Sequence, residues 1–163
     1  MRAAIQAHLG SPQVARVVYG SIIGLALVVA LEAHPPRAVV VVGSILATAV
    51  AVALAELYSD VVGAKTRQRR RLQRAELRRI AVDAAAVAFG IAFPAVFFVL
   101  AAAGVMEVET AFTVAKWSGL GLIALYGFAA ARLAGSGPAA SLLNALAVGV
   151  IGAFLIAIKA LLH

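Results

Sequence analysis

The chain has 163 residues, a mean hydropathy of +1.03 and 64% hydrophobic residues, whereas soluble domains are nearer half apolar. The net charge is +7, but eight of the 14 lysines and arginines fall within residues 65–79 without an aromatic platform, which argues against nucleic-acid binding. The absence of cysteine excludes disulfides and zinc–thiolate sites. No nucleophile–base arrangement points to an enzyme, and no resident cofactor is expected.

Five apolar segments predict an all-α polytopic membrane protein built as one domain. Each segment is long enough, at 1.5 Å per helical residue, to cross a hydrocarbon layer of about 30 Å. The third contains Pro94, which is predicted to kink its helix because proline lacks the N–H that continues the ladder. The predicted spans are residues 14–31, 38–62, 80–105, 111–133 and 139–162.

The basic loop at residues 63–79 sets the predicted orientation, because loops rich in lysine and arginine remain in the cytoplasm. With five spans, the N-terminus is then cytoplasmic and the C-terminus lies outside. An alternative role for the loop is a surface for anionic lipid headgroups or an anionic solute. The residues predicted to set topology or to meet lipid are Arg67, Arg69, Arg70, Arg71 and Arg74. The abundant alanine, valine and arginine is typical of a bacterial plasma membrane protein.

Small residues predict faces on which helices pack closely. Gly20 and Gly24 are four residues apart in the first span. The second span carries a stripe at roughly helical spacing, made of Gly43, Ser44, Ala47, Ala51 and Ala55. These faces predict a homo-oligomer, with a dimer as the expected state, in addition to contact with the lipid bilayer.

Carboxylates set into apolar segments are costly and indicate function. Glu56 lies about six residues, or about 9 Å, inside the predicted end of the second span. Asp60 is one turn further along, so both carboxylates share a helix face and offer the oxygen ligands that hard divalent cations prefer. Glu56 either binds a cation or proton or pairs with an arginine. For Asp60 the alternative is a salt bridge to Lys65 or Arg67.

Asp83 lies one turn inside the third span and has two interpretations. It can face Glu56 across the bundle and complete a transport site, or it can pair with Arg79 one turn before it. Either Tyr58 or Ser59 is predicted to add an oxygen beside Glu56. Tyr19 is predicted either to pack at the interface or to line the path with its hydroxyl.

Two polar residues at the predicted outer surface, Glu32 and Lys116, are expected to serve as interface anchors. Lysine can bury its apolar stem while its ammonium remains in water, which suits a position at the end of a span. Neither residue is predicted to take part in transport.

Several short motifs occur in a shared order along the chain. They are AELYS at residues 55–59, VAFGIAFP at 87–94 and AAARLAGS at 129–136, followed by a glycine-containing last span. Together with the span count and orientation, they resemble the vacuolar iron transporter (VIT) family, whose third helix reads Ala-Phe-x-x-Gly-x-x-x-Pro. The resemblance implies a five-helix bundle that forms dimers and exports Fe2+ or Mn2+ from the cytoplasm.

The chain departs from that family at three places. Tyr19-Gly20 stands where the family has an Asp-Gly pair, so the first-helix carboxylate is missing. No methionine lies near Glu56, since the chain has only Met1 and Met106. The loop has Glu76 alone among eight cations, where iron-transporting members have a glutamate-rich metal-binding domain.

The resulting expectation is a diverged VIT-like transporter of divalent cations, in which Glu56 and Asp83 either bind the cation or exchange protons and the Pro94 kink makes room for the path. The first alternative is a non-transporting membrane scaffold or anionic-lipid-binding protein that works through the basic loop. A second alternative is an anion channel fed by the same loop.

Overall fold

A computed structural model describes residues 13–68 and 70–133, together with residues 137, 139, 142, 143, 146, 150 and 154. The two continuous ranges fold as five α-helices, and no strand occurs within them. The helices are α1 (Gln13–Glu32), α2 (Ala38–Gln68), α3 (Arg74–Ala92), α4 (Ala95–Ala102) and α5 (Val108–Leu133). Most of the predicted fifth span, residues 139–162, lies outside the described residues.

Three of these helices, α1, α2 and α5, are long and apolar enough to cross a membrane. The pair α3 and α4 provides a fourth candidate span if the two are counted together. The all-α membrane class expected from the sequence is therefore confirmed, with three or four candidate spans in the described part of the chain.

The predicted third span is divided at Pro94. Helix α3 ends at Ala92, α4 begins at Ala95, and the two axes are bent by 48° at the break. Proline explains the position, because it has no N–H to donate and its ring clashes with the carbonyl four residues earlier, that of Gly90. Phe93 still donates its N–H to the Phe89 carbonyl, at 2.9 Å, so the regular ladder ends at the residue before proline.

Helix α1 lies in the middle of the described bundle, where it packs mainly on α3 and α5. Helix α2 packs on α3 and α4 and contacts α1 at few positions. The largest cluster of buried side chains joins α1, α2, α4 and α5. Its members are Val28, Val41, Ile45, Ala95, Phe98, Ala111, Phe112 and Ala115.

The contact between α1 and α3 depends on three glycines. A Cβ added to Gly20 would clash with the carbonyl oxygen of Val87, and one added to Gly24 would lie 2.9 Å from that of Ile91. A Cβ on Gly90 would lie 2.6 Å from the Ser21 backbone nitrogen. The two backbones therefore touch directly, as small-residue positions permit.

The small-residue stripe of α2 faces away from the described bundle. Gly43, Ala47, Ala51 and Ala55 are exposed, and a Cβ added to Gly43 would meet nothing within 4 Å. The face of α2 that packs inside the chain is instead formed by its buried apolar residues Val41, Ile45 and Ala49. The stripe predicted from the sequence as a packing face thus has no partner within the described residues.

Candidate functional site

One arginine bridges two helices at the end of α1 nearest the basic loop. The Arg16 guanidinium places Nη1 2.5 Å from Glu56 Oε2 and Nη2 3.0 Å from Asp60 Oδ2. Glu56 and Asp60 are one turn apart on α2, so the fork of a single guanidinium reaches both carboxylates. We call these three side chains the Arg16 cluster. It ties α1 to α2 where the two helices otherwise touch little.

The Arg16 cluster is partly shielded from solvent and carries a net formal charge of −1. The side chains of Arg16, Glu56 and Asp60 are 32%, 20% and 32% exposed, respectively. Charged groups that are partly withdrawn from water at the end of an apolar helix need partners. Of the two roles expected for Glu56, the structure shows the pairing with an arginine. The partner of Asp60 lies on another helix, not at Lys65 or Arg67.

An open cleft of about 280 Å³ adjoins the Arg16 cluster. Helix α1, the last turns of α2 and the first turns of α3 form its walls. The lining residues are Arg16, Asp60, Ala64, Arg67, Gln68, Glu76, Arg79, Ile80 and Asp83. We call it the basic-loop cleft, because residues from both sides of that loop surround it.

Asp83 lines the basic-loop cleft. Within residues 13–68 and 70–133, no lysine or arginine nitrogen comes within 4.0 Å of its carboxylate, including that of Arg79. The cleft brings Asp83 together with Asp60, whereas Glu56 does not line it. Asp60 thus shares Arg16 with Glu56 and shares the cleft with Asp83.

The two tyrosines proposed for the path lie elsewhere. Tyr19 is 46% exposed on α1 and Tyr58 is 72% exposed on α2. Tyr58 is two residues from both Glu56 and Asp60, a spacing that turns it to the opposite side of the helix. Neither tyrosine lines the basic-loop cleft.

The described residues contain no ready-made metal centre. In the ranges 13–68 and 70–133, no group of three or more histidine, cysteine, aspartate or glutamate side chains is placed to hold a metal ion. A divalent cation entering the Arg16 cluster would have to displace the guanidinium from at least one carboxylate. The cluster is thus suited to exchange between a resident arginine and an arriving cation or proton.

A second ion pair lies at the opposite end of α1. Lys116 Nζ on α5 donates to Glu32 Oε1 at 2.6 Å, and the two side chains are 20% and 25% exposed. The sequence treats these residues as separate interface anchors, whereas the structure joins them. Helix α1 is therefore held by charge at both ends, to α2 at one and to α5 at the other.

Glu76 orders the start of α3 within the basic loop. Its carboxylate accepts the Gln73 backbone N–H at 2.8 Å and two Arg70 nitrogens at 3.1 and 2.7 Å. The Gln73 hydrogen bond, followed by the Arg70 contact, lowers the pKa of Glu76 below its ordinary value of 4.5. Of the predicted lipid-facing arginines, Arg67, Arg70, Arg71 and Arg74 are exposed. Arg69 lies outside the described residues.

Replacing Glu76 with glutamine is expected to fray the first turn of α3. Because the folded-state pKa is lowered, the carboxylate stabilises this turn above its unfolded pKa, and the effect is lost as pH falls through the folded value. At pH 7 the Gln73 amide should be less protected from hydrogen exchange in Glu76→Gln than in the wild type. In the wild type, its protection factor should fall only when the pH is lowered through the folded-state pKa of Glu76. Equal protection of that amide in both proteins at pH 7 would contradict the assignment.

The fold and the charged clusters define an all-α membrane protein, whose described part has three or four candidate spans and an ion-paired central helix. No protein-family model matches the chain, and comparisons with curated proteins and with solved structures find no match. The resemblance to vacuolar iron transporters therefore remains a prediction from the sequence motifs.

Proposed function

We propose that the protein is a cation transporter, a diverged relative of the VIT-like proteins, that exchanges protons for a divalent cation such as Fe2+ or Mn2+. The observation that carries the proposal is the Arg16 cluster in an open cleft beside Asp83, a carboxylate with no ion-pair partner among the described residues. Partly shielded ionisable groups at the end of apolar helices favour a role in moving charge.

The proposed entry is the basic-loop cleft, on the cytoplasmic side by the positive-inside rule. Asp83 meets the arriving cation first, because its carboxylate has no ion-pair partner among the described residues. Protonation of Glu56 or Asp60 removes a negative charge from the Arg16 cluster and loosens the hold of the guanidinium. Helices α1 and α2 can then separate at this end, since few other contacts join them.

The proposed exit is closed by the Glu32–Lys116 pair. Arg16 and Glu32 are 16 positions apart on α1, which is about 24 Å along a helix axis. The close glycine contact with α3 lies between them, and α1 would tilt against α3 at this contact. Separation of the two ion pairs in turn would expose the path first to one side of the membrane and then to the other.

We also propose a bacterial plasma membrane location, from the alanine-, valine- and arginine-rich composition, and a dimer, which the small-residue stripe of α2 supports. Gly43, Ala47 and Ala51 are exposed along one side of an apolar helix. Residues of this size let a helix of a second copy approach closely. The dimer would leave the basic-loop cleft open, since none of these residues lines it.

Purified protein in liposomes is expected to take up Fe2+ or Mn2+, and Glu56→Gln is expected to reduce the initial rate severalfold. The matched control is Glu107→Gln, which removes an exposed carboxylate between α4 and α5, far along the chain from the cleft. Absence of Fe2+, Mn2+ and H+ flux in the wild type, with Glu56→Gln indistinguishable from it, would overturn the proposal.

A further inference from the structure

Only some of the charged residues that line the basic-loop cleft have ion-pair partners among the described residues. Arg16 and Asp60 pair with each other, and Glu76 is held by Arg70 and the Gln73 amide. The remaining charged lining residues are Arg67, Arg79 and Asp83. None of the three has an ion pair with another described residue. Among the described residues, the cleft therefore presents two cations and one anion without an ion-pair partner.

The cleft lies at the boundary between apolar and charged sequence. The charged segment of α2 begins at Lys65, directly after residues 61–64, and α3 becomes mostly apolar from Ile80. Ala64 and Ile80 supply apolar lining beside the arginines. In a membrane protein this boundary meets the lipid headgroups, and clustered arginines there attract lipid phosphate.

We propose that the basic-loop cleft binds an ethanolamine phosphate group, which combines a phosphate with a primary ammonium. The phosphate would lie against Arg67 and Arg79, since guanidinium forks bind phosphate oxygens by paired hydrogen bonds. The ammonium would lie against Asp83. A headgroup carrying a phosphate alone would neutralise the arginines but leave Asp83 unpaired, whereas ethanolamine phosphate provides a partner for all three.

The spacing and the size of the cleft suit this ligand. Arg79 and Asp83 are four residues apart on α3, so their Cβ atoms are about 5–6 Å apart on one helix face. The two-carbon linker of ethanolamine phosphate separates its charges on a similar scale. The cleft has a volume of about 280 Å³. Since one water-sized group takes up about 30 Å³, the headgroup fits in this volume.

The test measures lipid retention on the delipidated full chain in detergent by native mass spectrometry. Phosphatidylethanolamine, phosphatidylcholine and phosphatidylglycerol with identical acyl chains are added separately. The wild type is expected to retain phosphatidylethanolamine about two- to fivefold more tightly than either of the others, the range of a partly exposed ion pair. Phosphatidylcholine is the matched lipid control, because its quaternary ammonium has no N–H to donate.

Two variants assign the contacts. Asp83→Asn is expected to lower phosphatidylethanolamine retention to the phosphatidylglycerol level, and Arg79→Gln to weaken all three lipids. Arg78→Gln, an exposed neighbour outside the cleft lining, should change nothing. Equal retention of phosphatidylethanolamine and phosphatidylcholine by the wild type would overturn the proposal without any variant. An unchanged preference in folded Asp83→Asn would also overturn it.

A competition arm distinguishes the two sources of the group. If soluble glycerophosphoethanolamine displaces the lipid, the cleft recognises ethanolamine phosphate in a free solute as well; if it does not, the ligand is a membrane lipid. Both results retain the proposed chemistry. Retention is measured without flux, so this inference and the transport proposal can fail separately.

Discussion

Replacing Gly90 with alanine is expected to destabilise the protein by about 1–3 kcal/mol, the usual range for overpacking a tight contact. The new Cβ would lie 2.6 Å from the Ser21 backbone nitrogen and closer still to the Val17 carbonyl oxygen. Both neighbours are backbone atoms of α1, which cannot turn aside as a flexible side chain would. Helices α1 and α3 must therefore move apart, which would also weaken the packing around Val87.

Gly121→Ala is the matched control for this effect. Gly121 lies on an exposed face of α5, where an added Cβ meets nothing within 4 Å. Alanine there is expected to be neutral or slightly stabilising, since glycine is the weaker helix former. The free energy of unfolding of both variants can be measured by denaturant titration in micelles. Equal stabilities of Gly90→Ala and the wild type would contradict the close helix contact.

Replacing Arg16 with glutamine is expected to cost about 2–3 kcal/mol of stability, somewhat below the ~3–5 kcal/mol for breaking a fully buried ion pair. The variant leaves Glu56 and Asp60 adjacent, partly shielded and like-charged, with no other cation within ion-pair distance among the described residues. Arg16→Lys should recover part of the loss, because a single ammonium keeps the charge but lacks the bidentate fork.

The double variant Arg16→Gln with Glu56→Gln separates the ion pair from general packing effects. Removing both partners leaves Asp60 as the one carboxylate of the Arg16 cluster, so no like-charged neighbour remains beside it there. The double variant should therefore be more stable than Arg16→Gln alone. Unfolding free energies of the four proteins close a double-mutant cycle, which isolates the coupling between the two residues. A coupling near zero would show that the pair does not hold α1 to α2.

The helices and the break at Pro94 could be anticipated because they depend on local chemistry. Runs of apolar residues predict membrane-spanning helices by length alone. Proline breaks a helix through its own covalent structure, independently of what surrounds it. Glycine spacing likewise indicated a close approach of α1, although it could not name α3 as the partner of Gly20 and Gly24.

The pairings between helices could not be read from the sequence. Arg16 is 40 positions from Glu56 and 44 from Asp60, and their contact depends on how two helices are rotated and aligned. The predicted spans gave no matching signal, because Arg16 lies near the very start of the first span and Glu56 lies about six residues inside the end of the second. The contact between Glu32 and Lys116 was hidden for the same reason, since these residues are 84 positions apart.

The sequence also could not predict which side of α2 packs against the other helices of the chain. A membrane helix is apolar on most sides, so hydrophobic periodicity does not separate the face against protein from the face against lipid. The small residues at Gly43, Ala47 and Ala51 suggested one packing face, and the larger residues at Val41 and Ile45 form another. Both readings are compatible if the stripe is reserved for a second copy.

The most direct test of the transport proposal is a coupled flux measurement in proteoliposomes that carry a pH-sensitive dye inside. When an Mn2+ gradient is imposed, the wild type is predicted to move protons against the Mn2+ flow, and the double variant Glu56→Gln with Asp83→Asn is predicted to move neither ion. Glu107→Gln should behave as the wild type. Wild-type vesicles that show neither Mn2+ uptake nor an Mn2+-dependent pH change would contradict the account.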